Sequence, residues 1–352
     1  YVKIQNKNNV IVIMAMFVLF VFLATACSPL KKQIGSQKIE LQDESSENMS
    51  ISQKKNTSHV DDLATDQENN PSIDIPTVEE IINTLCSDEF EGRQTFSKGN
   101  EKAGEYIANI FNKIGLEPLI EDNYFQSYNK EDVIDRPDYN VSETANNIVG
   151  YIKGKDSQKA IIISAHFDGT GIKEGKIHRS ALDNASGVSA LIKIAENLKQ
   201  ISKEKPFESN IIFCAFNGEE QVRIGSTAFV NQVKSQPWYD NMYNINIDCI
   251  GSKFGGEFIF SSISEYSSNL YEAFKSSMKR NNINLVKYEN YLSSDHISFE
   301  HAKKANIIIA QEGLFKLIHK PTETTDSIDY SRIEKLVNAI SDFIEKNDGA
   351  SF

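Results

Sequence analysis

Two histidines and several carboxylates stand directly after apolar runs or at the mouth of a helix, where side chains from different segments can act together. His166 and Asp168 follow Ile161-Ile162-Ile163, Glu219 and Glu220 follow the run Ile211 to Phe213 through Asn217-Gly218, and Asp248 follows Ile245-Asn246-Ile247. In an open α/β sheet ligands bind beyond the carboxyl ends of the strands, so three strand ends would bring these groups to one edge. Asp183 precedes Asn184-Ala185-Ser186-Gly187 at the start of a helix, and His319 lies in the loop after the run ending at Ala310. Carboxylates gathered in this way raise one another's pKa unless a cation neutralises them. Two imidazoles with three carboxylates suit Zn²⁺, and five ligands are too few to close two sites, which leaves coordination positions open for catalysis. A carboxylate shared by two ions would hold them roughly 3.5 to 4 Å apart, as in hydrolytic two-metal centres. Singly, each of these residues would be an ordinary solvated group, and their joint placement is the signal. His178 and His301 have no such company and are expected at the surface.

The segments that must position these residues alternate between strand and helix patterns from Thr77 onward, which predicts an α/β layer architecture. Apolar runs at Ile148 to Ile152, Ala160 to Ala165, Ile211 to Phe216, Tyr243 to Ile247, Phe258 to Phe260 and Ile307 to Ala310 read as buried strands. Gly99 to Gly115 has apolar residues at helical spacing and a glycine stop, and Ala185 to Leu198, Ser226 to Val233, Ser268 to Arg280 and Arg332 to Ile344 read as further helices. Neither a repeat nor a second change of composition interrupts residues 77–350, so one domain is expected there.

The N-terminal part differs in kind. Lys3 and Lys7 precede an apolar run from Val10 to Ala26, which ends in Ala24-Thr25-Ala26-Cys27. A run this short with small residues at its end fits an export signal, residues 1–26, better than a spanning helix. The junction resembles a bacterial lipobox, which implies that Cys27 is lipidated and anchors the chain to the outer face of the membrane; Ala24 stands where that pattern prefers Leu. From Ser28 to about Pro76 the sequence is polar and lacks aromatic residues, so 27–76 is expected to be a flexible tether, with His59 incidental to it. Cys86, Cys214 and Cys249 remain, an odd number without C-x-x-C spacing, and no disulfide framework follows. Cys214 and Cys249 read as small buried hydrophobes. The formal net charge of -12 disfavours a nucleic-acid partner.

Taken in order, His166-Phe167-Asp168, Asp183-Asn184-Ala185-Ser186-Gly187, Asn217-Gly218-Glu219-Glu220, Asn246-Ile247-Asp248 and a late histidine resemble the di-zinc aminopeptidases of metallopeptidase family 28. The likeness continues through Glu91-Gly92-Arg93, Ala145 to Gly150, Ile224-Gly225-Ser226, Ser294-Asp295-His296 and Ile328-Asp329, and covers nearly everything from Thr77 to the C-terminus. It implies a three-layer sandwich, a central mostly parallel mixed β-sheet flanked by helices. It also implies two Zn²⁺ ions, with His166 and Asp248 on one, Glu220 and His319 on the other, and Asp183 bridging. Glu219 would be the general base toward a water shared by the metals, and Asp168 would fix the tautomer of His166. The Asp183–Asn184 peptide bond would be cis. Ile318 departs from the family, since many relatives carry Tyr there as an oxyanion donor, and Tyr291 is a candidate substitute. The loop Lys320 to Asp326 looks longer and less acidic than the family pattern, with Asp326 as a candidate partner of the ligands. His296 belongs to a motif near the site as support or substrate contact. Phe90, Phe125 and Tyr128 are expected to pack in the core.

The function that follows is removal of the N-terminal residue of peptides outside the cell membrane. Two alternatives stand beside it. A glutaminyl-peptide cyclotransferase would share the fold but hold a single zinc, and a non-catalytic solute-binding lipoprotein would take up its ligand regardless of chelators.

Overall fold

The computed structural model describes residues 74–120, 122–129, 144–262, 264–288 and 292–352. The signal segment, Cys27, nearly all of the tether and Tyr291 lie outside them.

Nine strands form one sheet. Its centre is four parallel strands in the order β7 (Ser209–Phe216), β4 (Asp156–His166), β8 (Met242–Ile247), β11 (Ala305–Gln311). Antiparallel pairing begins on both sides. β3 (Thr144–Ile152) runs against β7 and carries β1 (Glu117–Pro118) and β2 (Phe125–Asn129), while β9 (Phe258–Ser261) runs against β11 and carries β10 (Leu285–Lys287) in parallel. A separate hairpin, β5 (Ile172–Lys173) with β6 (Lys176–Ile177), projects from the loop after β4.

Strand residues alternate between two apolar faces. Ile161, Ile163, Ala165, Phe213, Ile245 and Ile309 pack with helices α1 (Val78–Leu85), α2 (Lys98–Ile114), α3 (Ser186–Glu204), α5 (Ser268–Arg280) and α7 (Tyr330–Lys346). Ile162, Ile212, Cys214 and Phe216 face the other way, onto Phe229 of α4 (Ile224–Gln232) and Phe299 of α6 (His296–His301). Two covered faces explain why the central strands are buried throughout, with Ser164, Asn244 and Asn246 hydrogen-bonded to one another inside, and make the domain the expected three-layer α/β sandwich. Each fully buried Ile or Phe among them contributes about 1.5–3 kcal/mol.

Local signals place the helix ends. Thr77 and Glu80 form a reciprocal capping box at α1, Ser97 accepts from the Asn100 N–H at α2, and Gly115 closes α2 in the left-handed region. Arg93 is fully buried, and its guanidinium donates to the carbonyls of Leu85, Phe167, Arg179 and Ser180. It therefore pins the end of α1 to the loop after β4 and to the turn that leads into α3.

Candidate metal centre

The carboxyl ends of β7, β4, β8 and β11 open on the same edge, and each sends a loop into the site. His166 is the last residue of β4, Glu219 and Glu220 follow β7, Asp248 follows β8, and His319 sits in the loop after β11. Asp183 comes from the turn Ala181–Ala185 that enters α3, and the Asp183–Asn184 peptide bond is cis. Asn184 ties that turn to the end of β8: its Nδ2 donates to the Ile247 carbonyl at 2.9 Å, and its Oδ1 accepts from the N–H groups of Gly187 at 2.9 Å and Cys249 at 3.2 Å. Gly187 is required there, because a Cβ would stand 2.3 Å from Asn184 Oδ1 and 2.5 Å from the Ile247 carbonyl oxygen.

One carboxylate lies between two imidazoles. Asp183 Oδ1 is 3.1 Å from His166 Nε2, and Asp183 Oδ2 is 2.8 Å from His319 Nε2. Asp248 Oδ1 approaches the same His166 nitrogen at 3.4 Å, and Glu220 Oε1 approaches the same His319 nitrogen at 3.0 Å. All five sequence-predicted ligands thus meet in two clusters of three that share Asp183, each with its donor atoms within 4.8 Å of one another. His166 Nε2, Glu220 Oε1 and Asp248 Oδ1 are buried without a hydrogen-bond partner of good geometry. Buried polar atoms in native proteins are almost always satisfied, and a cation in each cluster would satisfy these. The donor set, two imidazole nitrogens with carboxylate oxygens, fits zinc.

The electrostatics point the same way. Burial opposes a charge on His166, but Asp248, Asp168 and Asp183 outweigh it and hold its pKa well above the ordinary imidazole range. The Asp183 and Glu220 carboxylates beside its Nε2 push the pKa of His319 up to about 10. Burial likewise works against ionised Asp183, and the two histidines overcome it, leaving the carboxyl below its usual range.

Glu219 belongs to neither cluster, yet lines the same cavity as Asp183, Asp248 and His319. Burial, with Asp295, Asp248 and Asp183 adding to it against the pull of His166, raises its pKa well above the carboxylate range. The loop bearing it turns at Gly218, with φ of +81°, and is fixed from behind: Tyr128 donates to the Asn217 carbonyl at 2.7 Å, and Asn217 exchanges side-chain hydrogen bonds with Asn100 at 2.8 and 3.0 Å.

Asp168 approaches His166 more closely through its backbone than through its carboxylate. The imidazole Nδ1 lies 3.2 Å from the backbone carbonyl oxygen of Asp168 and 3.5 Å from its carboxylate. That carboxylate instead accepts from the Thr95 hydroxyl at 3.1 Å and from the backbone N–H groups of Glu219 at 3.1 Å and Glu220 at 3.2 Å. Glu323 has a comparable position on the other side. It is buried and accepts the N–H groups of Leu182, Asp183 and His319; burial and Asp183 lift its pKa to about 7 against those three bonds.

Several expectations are corrected. The acidic partner in the loop after His319 is Glu323, whereas the Asp326 side chain is exposed and its carbonyl accepts from Lys253 Nζ. His178 is buried, because the β5–β6 hairpin folds its backbone onto Gly171 at 2.9 Å. Cys249 lies beyond the end of β8, in the left-handed region and on the cavity wall, and is only partly buried. His301 is exposed as expected. His296 is buried and, through burial and Arg223, has its pKa lowered to about 3, so it is a neutral packing residue. Phe90 and Tyr128 are core residues, and Phe125 is partly buried against the core.

The chain has relatives in sequence and in structure. The chain is similar to aminopeptidase YwaD of Bacillus subtilis, 24% identical over 237 residues, which cover 64% of this chain; the chain spans about half the length of that relative, 50%. The solved structure of BSAP, a zinc aminopeptidase from Bacillus subtilis, superposes with a TM-score of 0.63 at 15% identity, covering 79% of this chain and 97% of that one. A Bacteroides thetaiotaomicron glutaminyl cyclase has the same fold, with a TM-score of 0.58 at 18% identity over 78% of this chain and 98% of its own. Residues 147–344, which contain every residue of both clusters, match Peptidase family M28, and the chain belongs to that family.

Proposed function

We propose that this protein is an exported aminopeptidase that removes the N-terminal residue of peptides, with two zinc ions per chain. The observation that carries the reading is the Asp183 carboxylate placed between His166 and His319, with one further carboxylate completing each cluster. His166, Asp183 and Asp248 would hold one ion, and Asp183, Glu220 and His319 the other. When bound, such ions polarise a carbonyl and make water acidic. Glu219, free of both clusters and with a raised proton affinity, takes a proton from the attacking water and returns it to the leaving amine. Asp168 keeps Glu219 and Glu220 in register by holding both backbone N–H groups.

The cavity beside Glu219 has a volume of about 500 Å³. Beside the candidate ligands, Glu219 and Lys320, most of its wall is apolar, with Ile259, Leu292, Ile308, Ala310 and Leu314. Burying an unpaired charge there is costly, so the N-terminal residues favoured are large and apolar. A zinc-loaded full chain should release leucine and phenylalanine from aminoacyl p-nitroanilides and leave N-acetylated versions intact. A folded, zinc-loaded protein that cleaves no member of such a panel would refute the reading. Closing glutaminyl peptides to pyroglutamyl ones, with one zinc per chain, would instead identify a cyclase, the alternative that the shared fold brings into play.

The N-terminal pattern supports export and attachment through lipidated Cys27, with 27–76 as a tether. Among the described residues no helix is long and apolar enough to cross a membrane. Labelled palmitate should enter the chain in a bacterial host, and Cys27→Ser should abolish the label.

A further inference from the structure

One buried carboxylate joins two loops that carry ligands, and the reaction outlined above makes no use of it. Glu323 is 2% exposed. Its Oε1 accepts the backbone N–H of Leu182 at 3.0 Å and of Asp183 at 2.8 Å, and its Oε2 accepts that of His319 at 2.8 Å. Its own N–H donates to the Lys320 carbonyl at 3.0 Å, so His319 to Glu323 is a tight turn whose first residue has φ of +60°. Asp183 and His319, distant in sequence, therefore hang from the two oxygens of one side chain. Charge-assisted bonds from backbone N–H groups are about twice as strong as neutral ones, and burial excludes the water that would compete for them.

The two clusters depend on this clamp unequally. His166 closes β4, and the Asp248 N–H donates to the Ile309 carbonyl at 2.9 Å, so both are held by the sheet itself. His319 lies in a loop beyond β11, with nearly half of its side chain exposed, 47%. We infer that Glu323 is a positioning residue: it fixes the distance between Asp183 and His319 and so assembles the Asp183–Glu220–His319 cluster, while leaving the His166–Asp183–Asp248 cluster largely to the sheet. The inference rests on the metal-binding reading above.

The test is Co²⁺ titration of the metal-stripped full chain, followed by visible absorption. The wild type should take up two ions. Glu323→Gln keeps one acceptor oxygen for Leu182 and Asp183 but turns an amide NH₂ toward the His319 N–H. It should weaken the second ion about 10–100-fold and leave the first near its wild-type affinity. Glu323→Ala should weaken the second ion at least as much. Folded variants that bind both ions as the wild type does would overturn the inference while leaving the aminopeptidase reading intact. Should the variants fail to fold, hydrogen exchange on the metal-free wild type decides: the amides of Leu182, Asp183 and His319 should be protected together, and exchange at open-loop rates would sink the clamp. That measurement holds even if the wild type takes up no metal, an outcome that would end the functional reading separately.

Discussion

Glu219 and its neighbour Glu220 are adjacent in sequence but divided in role by geometry. Glu220 meets His319 at 3.0 Å, whereas Glu219 stands outside both clusters on the cavity wall. Glu219→Gln should therefore leave metal content unchanged and lower kcat by about 10²–10⁴-fold, the usual contribution of a general base. Metal analysis beside steady-state kinetics checks this, and activity within tenfold of wild type would rule out the assigned role. Protonation gives a second expectation. His319 keeps its proton up to about pH 10 in the metal-free protein, and His166 also titrates above its ordinary range. An entering cation must displace those protons, so binding at pH 7 to 8 should release protons, and affinity should fall as pH is lowered. Calorimetry in buffers of different ionisation enthalpy measures the number released, and none released would contradict the assigned ligands. The ligand residue types and their order were legible in the sequence because His166, Glu220 and Asp248 come shortly after apolar runs and Asp183 stands at the mouth of a helix. Glu323 and Thr95 were not: each acts through hydrogen bonds to residues far away in the chain, and neither sits at a strand end.

Strand ends and one turn do the positioning. β11 supplies Ile308 and Ala310 to the cavity, β9 supplies Ile259, and these two strands meet where the parallel centre gives way to antiparallel pairing. Ala310 is the smallest of these, so Ala310→Trp should fill the cavity. It should lower kcat/KM for leucyl and phenylalanyl substrates by about 10–200-fold, spare alanyl substrates, and leave metal content alone. Parallel losses on all substrates would show that the cavity does not receive the side chain. The long elements could be read from their patterns: α2, α3, α5 and α7 have strong apolar stripes, and the four central strands contain buried apolar runs. α1 was missed although Val78, Ile81, Ile82 and Leu85 stand at helical spacing behind the Thr77–Glu80 capping box, whereas α6 and the two- and three-residue strands β1 and β10 could not be read, because so few residues carry no period. Pairing direction was also hidden: apolar runs look alike in β9, antiparallel to β11, and in β8, parallel to it.

The whole domain follows from a parallel centre covered on both faces. Four adjacent strands end at one edge, so loops separated widely in sequence converge there, and Arg93 and Glu323 then lock the loops together. The fold class was accessible from alternating patterns, and the convergence from the rule that α/β sites lie beyond strand ends. Distances were not, and the sharing of Asp183 between two histidines depends on distances. Zinc counting on the full chain is the most direct test of that sharing: metal-stripped protein is equilibrated with excess Zn²⁺, freed of unbound ion, and measured by elemental analysis. Two ions per chain, falling on Asp183→Asn substitution, are expected. A single ion, or two that persist unchanged in Asp183→Asn, would contradict a centre built around that carboxylate.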